Sequence, residues 1–218
     1  MSNETKLVIG IIIVSIGVTF LGIKLAYQKP AEVKLLLSDQ RISNVNSPRA
    51  GSASSTVTIV EFADFECPAC GAMHPIFKKL LAEYGDKISL VYRNFPIHKD
   101  ADQFAIAALA AGKQGKFWEM HDMIFEHQND WANLSLDKKM AAFAGYAATL
   151  GLDVAKYNSD LKDSKLADVV KKDQDDALAM GINSTPTIII NNNTVIVGAK
   201  SYEGMKVSID AELQKAVK

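Results

Sequence analysis

The chain of 218 residues contains two cysteines, and they occur together in the run Cys67-Pro68-Ala69-Cys70. A nearly continuous apolar stretch rich in β-branched residues, Val57 to Phe62, precedes them, and apolar residues at helical spacing follow them as far as Tyr84. A second apolar stretch extends from Ile88 to Phe95. The cysteine pair therefore lies where a buried strand passes into an amphipathic helix, within a predicted strand-helix-strand unit.

The position of the cysteine pair favours redox chemistry. Cys67 falls at the start of the helix, where free backbone N–H groups and the positive end of the helix dipole stabilise a thiolate. Pro68 suits the first helical turn, and the Pro68-Ala69 spacing lets Cys70 close a small, reducible disulfide with Cys67. Half of a zinc site that includes His74 is the alternative, but the other histidines show no matching spacing. We expect neither a metal nor a cofactor.

Two further residues lie close to the pair in the sequence. Glu61 stands in the first strand, so we expect burial to raise the pKa of its carboxyl group, which could then take or return the Cys70 proton. A strand-end glutamate that reaches solvent is the alternative. Pro75 removes a hydrogen bond inside the helix and predicts a kink, with an ordinary bend in a core helix as the alternative.

The rest of the chain predicts more helices and one hairpin. Residues 101–161 are rich in Ala, Met and aromatic side chains and predict several short packed helices, and residues 164–180 predict a polar helix with a solvated face. A hairpin is expected over 187–197 and a final helix over 202–217. The helical patterns place three histidines on helix surfaces, namely His74, His121 and His127.

The N-terminal region contains an apolar run. Leu7 to Ile23 carries no charge, and Leu7 to Tyr27 is long enough to cross the hydrocarbon core of a bilayer if Lys24 snorkels to the interface. Because no pair of small residues typical of a cleavage site follows, we predict an uncleaved transmembrane anchor, with a cleaved signal as the alternative.

The predicted organisation has four parts: a tail over 1–6, the anchor or signal helix over 7–27, a stem over 28–50 and one domain over 51–218. The formal net charge of -1 leaves no basic surplus for phosphate, so we expect no nucleic-acid partner. Lys6 alone precedes the apolar run, whereas four positive residues follow it, namely Lys24, Lys29, Lys34 and Arg41, and the positive-inside rule alone would keep the domain in the cytoplasm.

A close resemblance to the DsbA-like branch of the thioredoxin superfamily is carried by EFADFECPACGAMHP, by the helical block and by GINSTPTIII. The nearest likeness is to the membrane-anchored or exported bacterial thiol-disulfide oxidoreductases, and it extends from Gly51 to the C-terminus. It implies an α/β thioredoxin fold with a helical insertion at about residues 101–163, preceded here by the transmembrane helix.

The resemblance also implies roles for individual residues: a nucleophile at Cys67, a resolving thiol at Cys70, a buried acid at Glu61, a helix kink at Pro75, a cis-proline at Pro186 and a substrate-pairing backbone at Thr185. Strongly oxidising members of the family carry a histidine between the cysteines, where this chain has Pro68-Ala69. We therefore expect a weaker oxidant.

The function that the resemblance implies is the introduction of disulfides into exported proteins that carry cysteine thiols. A quinone-linked membrane oxidase of the DsbB or VKOR type would restore the Cys67–Cys70 disulfide. Such an oxidase belongs outside the reducing cytosol, so we expect a single-pass protein of the cell membrane with an extracytoplasmic domain. The alternatives are a disulfide isomerase or reductase, and a membrane-anchored peptide-binding or chaperone module.

Overall fold

The computed structural model describes Ile42 and residues 47–216. The predicted anchor over 7–27 and most of the predicted stem lie outside the described residues. Among the helices that are described, none is long and apolar enough to cross a membrane.

Five strands form one sheet: β1 (Arg49–Gly51), β2 (Val57–Ala63), β3 (Ile88–Asn94), β4 (Thr187–Ile190) and β5 (Thr194–Val197). Their order is β1-β3-β2-β4-β5, with β2 and β3 parallel and the other neighbours antiparallel. The central strands β2 and β3 are covered on both faces, which is why their sequences are almost continuously apolar. The sequence analysis missed β1 because three residues show no alternation.

Within the described part of the chain, eight helices accompany the sheet: α1 (Pro68–Tyr84), α2 (Ala101–Gly112), α3 (Phe117–Glu126), α4 (Gln128–Trp131), α5 (Leu136–Thr149), α6 (Val154–Asp160), α7 (Ser164–Ala179) and α8 (Tyr202–Ala216). A short 3-10 turn, Gly85–Lys87, joins α1 to β3. Gly85 ends α1 with φ 54°, a conformation that favours glycine. The helices α2 to α6 lie between β3 and α7, so the expected α/β fold with a helical insertion is confirmed.

The described residues form two apolar cores. The sheet core packs α1 and α8 against the strands through Met73, Phe77 and Ile209. The insertion core is built around three rings, Phe104, Trp131 and Phe143, with centroids 5.3 to 5.4 Å apart. Both cysteines belong to the insertion core, although they stand on the helix that covers the sheet. The insertion therefore packs directly against the cysteine pair.

The polar helix α7 is more buried than its sequence predicts. Asp173 and Asp176 face the interior, where they pair with Arg93 of β3. The expectation of a solvated face is wrong for these two positions, because a guanidinium buried within the sheet requires counter-charges. The exposed pair of Lys171 and Asp175 does follow the expectation.

Candidate active site

Cys67 occupies the N-cap of α1, and Pro68 is the first helical residue. The Cys67 carbonyl accepts hydrogen bonds from the backbone N–H groups of Cys70 and Gly71, both at 3.1 Å. The Cys67 thiol donates to the carbonyl of Thr185 at 3.4 Å. Both cysteines are buried free thiols in this structure.

The two thiols differ in acidity. A hydrogen bond from the Cys70 thiol is the main cause that lowers the pKa of Cys67 to about 5, and backbone N–H groups of Cys70 and Ala69 add to it against the opposing effect of burial. Burial, the bond to Cys67 and the Glu61 charge raise the pKa of Cys70 far above its usual range. At neutral pH Cys67 is therefore the thiolate and Cys70 holds its hydrogen.

Thr185 contacts Cys67 through its backbone. A carbonyl oxygen accepts from a thiol but cannot stabilise a thiolate, and the Thr185 hydroxyl has no hydrogen-bond partner among the described residues. We therefore attribute the acidity of Cys67 to the Cys70 thiol and the helix N–H groups. The Thr185–Pro186 peptide bond is cis, as expected from the resemblance, and Pro186 is buried.

Glu61 lies beneath the pair on β2 and is 2% exposed. Burial first, and then the charge of Cys67, raise the pKa of Glu61 to about 8, so the carboxyl group is mostly protonated at pH 7. The expected desolvation of this residue is confirmed, and the alternative of a strand-end glutamate in solvent is wrong. Its Oε1 atom finds no hydrogen-bond partner in the part of the chain that the structure describes.

Tyr92 is a neighbour that the sequence analysis missed. It stands on β3 in register with Glu61, and it is fully buried. Burial and the nearby charges of Glu61 and Cys70 raise the pKa of Tyr92 well above its usual value, so it stays a neutral phenol. A tyrosine in an apolar strand is an ordinary core residue, and only the register with Glu61 could have singled it out.

Asp64 holds together the two loops that follow β2 and β3. Its carboxylate accepts hydrogen bonds from the backbone N–H groups of Glu66, Ile97 and His98 at 2.7 to 2.9 Å, and from His98 Nδ1 at 2.9 Å. Burial alone would lower the pKa of His98, but the bond to Asp64 outweighs it and raises that pKa, with the Cys67 charge adding to the effect. The charge of Cys67 thus favours the protonated form of an imidazole outside the cysteine motif.

The helical insertion also holds the loop that carries Cys67. Gln128 of α4 donates from Nε2 to the carbonyls of Phe65 and Cys67 at 2.7 and 3.1 Å. Lys139 of α5, which is 7% exposed, forms an ion pair with Glu66. These contacts fix the loop from the side opposite the sheet.

The remaining motif residues lie at the surface of α1. Pro68 and Pro75 are exposed, and Ala69 is half-buried. The helix continues through Pro75 to Tyr84. The predicted kink stays a prediction.

Two of the three histidines that were expected on helix surfaces are buried. His74 is 6% and His121 is 4% exposed, because α1 and α3 pack against each other along these side chains. His127 is exposed and pairs with Asp130, as expected of a surface residue. A single-helix pattern could not show that two helices meet at the buried positions.

Comparison with known proteins places this geometry among thioredoxin-like proteins. A family model described as Thioredoxin matches residues 43–211. The structure of BdbD from Bacillus subtilis in its oxidised form is similar, with 28% sequence identity and a TM-score of 0.68 over 77% of this chain and 93% of that chain. The thiol-disulfide exchange protein alpha-DsbA2 from Wolbachia pipientis shares the fold, with 22% identity and a TM-score of 0.69 over 79% and 90% of the two chains.

Curated relatives include much longer proteins. The Na(+)/H(+) antiporter NhaA 1 of Salinispora arenicola (strain CNS-205) is 38% identical over 144 residues, which make up 65% of this chain and 21% of the antiporter. The chain spans about a fifth of the length of these curated relatives.

Proposed function

The chain belongs to the thioredoxin family as a DsbA-like thiol-disulfide oxidoreductase, and we propose that it works as an oxidase that introduces disulfides into exported proteins. The observation that carries the proposal is the position of Cys67 at the N-cap of α1 beside the Cys70 thiol, which lowers the pKa of Cys67 to about 5. An acidic thiol is stable in the reduced enzyme and a good leaving group, and both properties make its disulfide an oxidant.

The size of this effect at neutral pH can be estimated. A pKa near 5 lies about two units below pH 7. Deprotonation of Cys67 therefore stabilises the reduced enzyme by about 3 kcal/mol at this pH, which corresponds to roughly 60 mV for a two-electron couple. The expectation of a weaker oxidant, drawn from Pro68-Ala69, remains a prediction. His98 bears on it, because the charge of Cys67 favours the protonated form of this imidazole outside the dipeptide.

In the proposed reaction a substrate thiolate attacks Cys67 Sγ of the oxidised enzyme. The Cys67–Cys70 bond breaks, a bond between the substrate sulfur and Cys67 forms, and Cys70 leaves with the electron pair. The second thiolate of the substrate then attacks the first substrate sulfur, and Cys67 leaves as its stable thiolate. The substrate loses two electrons and gains a disulfide, and the enzyme becomes a dithiol.

Glu61 supports this sequence as a proton donor. The Cys70 thiolate is strongly disfavoured, so its departure requires a proton, and Glu61 still holds one at neutral pH. In the second step the leaving group is the Cys67 thiolate, which the hydrogen bond from the Cys70 thiol stabilises. The acid and the resolving thiol thus act on successive steps.

Substrate binding is proposed at Thr185 and Pro186. The Thr185 carbonyl lies 3.4 Å from Cys67 Sγ, so an extended peptide that pairs with this backbone would bring its own cysteine to the reactive sulfur. Main-chain pairing depends little on side chains and would accept many unfolded clients.

The cellular setting belongs to the proposal as well. We propose that the domain is extracytoplasmic and held at the cell membrane by the apolar segment over 7–27. A quinone-linked membrane oxidase of the DsbB or VKOR type would accept the two electrons of the Cys67–Cys70 dithiol.

The decisive test is the equilibrium reduction potential of Cys67–Cys70 in the full-length chain, measured against glutathione. We expect a value clearly more oxidising than the roughly -270 mV of cytosolic thioredoxins. A value at or below that level would overturn the proposed direction.

A second experiment tests the assigned roles. The Cys70→Ser variant should accumulate mixed disulfides with a reduced two-cysteine peptide through Cys67, and the Cys67→Ser variant should form none. Trapping through Cys70 instead would contradict the assignment of the nucleophile.

A further inference from the structure

A second polar cluster lies one helical turn beyond Cys70, where α1 packs against α3. His74 Nε2 lies 2.9 Å from Asp122 Oδ1, and His121 Nδ1 lies 3.1 Å from the same oxygen. One donor atom from each residue falls within 4.8 Å of the other two. Two nitrogens and a carboxylate oxygen bound about 2.1 Å from one tetrahedral ion would lie about 3.3 Å apart, so only small movements separate this arrangement from a metal site.

The hydrogen bonds of His121 point in the same direction. A carboxylate oxygen accepts, so His121 Nδ1 carries the hydrogen in its contact with Asp122 Oδ1. His121 Nε2 is then a bare lone pair, and within the described chain this buried atom has no hydrogen-bond partner. A buried acceptor without a donor is unfavourable.

A cation on His121 Nδ1 would remove this unfavourable arrangement. The hydrogen would move to Nε2, and the resulting N–H would lie among aromatic rings in edge-to-face contact: Tyr92, Trp118 and Phe125, with centroids 4.9 to 5.0 Å from the imidazole. Such rings accept weak hydrogen bonds from N–H groups.

The cluster can be reached from solvent. A cavity of about 240 Å³ is lined by His74, His121 and Asp122 together with Lys78 and Trp118, and the Asp122 side chain is 29% exposed. The cavity leaves room for a water molecule as a fourth ligand. Lys78 lies 3.0 Å from the other oxygen, Asp122 Oδ2, so it can orient the carboxylate but also repels a cation.

We propose that His74, His121 and Asp122 form a binding site for one divalent first-row transition-metal ion such as Zn²⁺. Imidazole and carboxylate are ligands that zinc accepts, and the three donors come from two rigid helices. The site is separate from the cysteine pair and does not depend on the direction of disulfide exchange. The sequence concealed it, because His121 and Asp122 stand on a different helix from His74.

The test is calorimetric titration of the full-length chain with Zn²⁺, after Cys67 and Cys70 have been oxidised so that no thiolate competes. We expect one saturable ion per chain, bound at least tenfold more weakly by His74→Gln and by Asp122→Asn. Lys78→Met should bind at least threefold more tightly, because a competing cation is lost. With Co²⁺ the visible spectrum should show ligand-field bands and no sulfur charge-transfer band.

The matched control is His127→Gln, which alters an exposed histidine that also pairs with an aspartate, Asp130, at 2.9 Å. It should leave the Zn²⁺ affinity unchanged. Absence of saturable binding would overturn the proposal. Equal Zn²⁺ affinities in the wild-type chain, in Asp122→Asn and in Lys78→Met would also overturn it, because they would mean an adventitious ion only. Asp122 is partly exposed, so its variant keeps the test valid if His74→Gln fails to fold.

Discussion

Adjacent residues on β3 show two ways of burying polar groups. Arg93 points to one face, where its guanidinium donates to Asp173 at 2.8 Å and to Asp176 at 2.7 Å. Tyr92 points to the other face, next to Glu61, and neither the Tyr92 hydroxyl nor Glu61 Oε1 has a hydrogen-bond partner among the described residues. The Arg93 face therefore contains a cluster of ion pairs. The Glu61 face contains two weak acids beneath the cysteines, each with a polar atom that lacks a hydrogen-bond partner among the described residues.

The difference between the faces separates stability from chemistry. The charges on the Arg93 face compensate one another, and their hydrogen bonds hold β3 to α7. Uncompensated groups instead shift their pKa, as Glu61 does to about 8, and can exchange protons near neutrality. We infer that the Glu61 face is kept at some expense in stability because the reaction needs it.

The largest effect is expected when the reactive thiol of Cys67, on the Glu61 face, is removed. Cys67→Ser should lower the rate of disulfide exchange at least about 1,000-fold, because no other thiol can take its position at the helix N-terminus. The free energy of unfolding at pH 4, where the Cys67 thiol is protonated in the folded and the unfolded state, should change by less than about 1 kcal/mol, since the substitution is small. Peptide-oxidation kinetics and denaturant unfolding measure the two quantities, and a large loss of stability would contradict the separation between the faces.

The next effect is structural and acts on the Arg93 face. Asp173→Asn should destabilise the fold by about 3 to 5 kcal/mol, because one partner of a buried ion pair is lost. Urea unfolding of the reduced protein measures it.

The control lies on the same helix. Asp175→Asn affects an exposed ion pair with Lys171 and should change stability by about 0.5 kcal/mol or less. Equal losses in the two variants would show that burial does not distinguish these pairs.

Glu61→Gln should raise the free energy of unfolding, whereas Asp173→Asn should lower it. The pKa of Glu61 is raised from 4.5 to about 8 on folding, so its contribution to stability is fully present below about pH 4.5 and is lost as the pH rises to about 8. Glutamine cannot ionise, and the variant should therefore be more stable at pH 7 by about 2 to 3 kcal/mol. Exchange should meanwhile slow about 100-fold.

Unfolding at several pH values tests the sign. The gain in the Glu61→Gln variant should vanish near pH 4. A gain that is constant with pH would mean that better packing, and not ionisation, explains it.

The smallest expected effect concerns His98. His98→Ala should raise the pKa of Cys67 by about 0.3 unit, because a half-exposed cation near the thiolate is lost while the Asp64 bonds to backbone N–H groups remain. Ultraviolet absorbance of the thiolate during a pH titration measures the shift. His127→Ala is the control, and an equal shift in it would exclude a specific role for His98.

The sequence predicted the strands, the helices and the cysteine pair because each has a local signal. Periodicity located β2, β3 and α1 within one or two residues, and the burial of Glu61 followed from its strand. Contacts between distant segments had no such signal. Arg93 meets Asp173 across 80 positions, and Tyr92, His98 and Gln128 reach the active site only once the chain has folded.

The hydrogen bonds that hold the cysteine loop have an evolutionary consequence. Asp64 and Gln128 bind mainly backbone atoms, such as the N–H of Glu66 and the carbonyl of Cys67, and Pro68 stands exposed. Backbone groups are present whatever the side chain, so the dipeptide between the cysteines can diverge without loosening the loop. Point mutations in the dipeptide could thereby change the reduction potential of descendants of this chain while the loop keeps its structure.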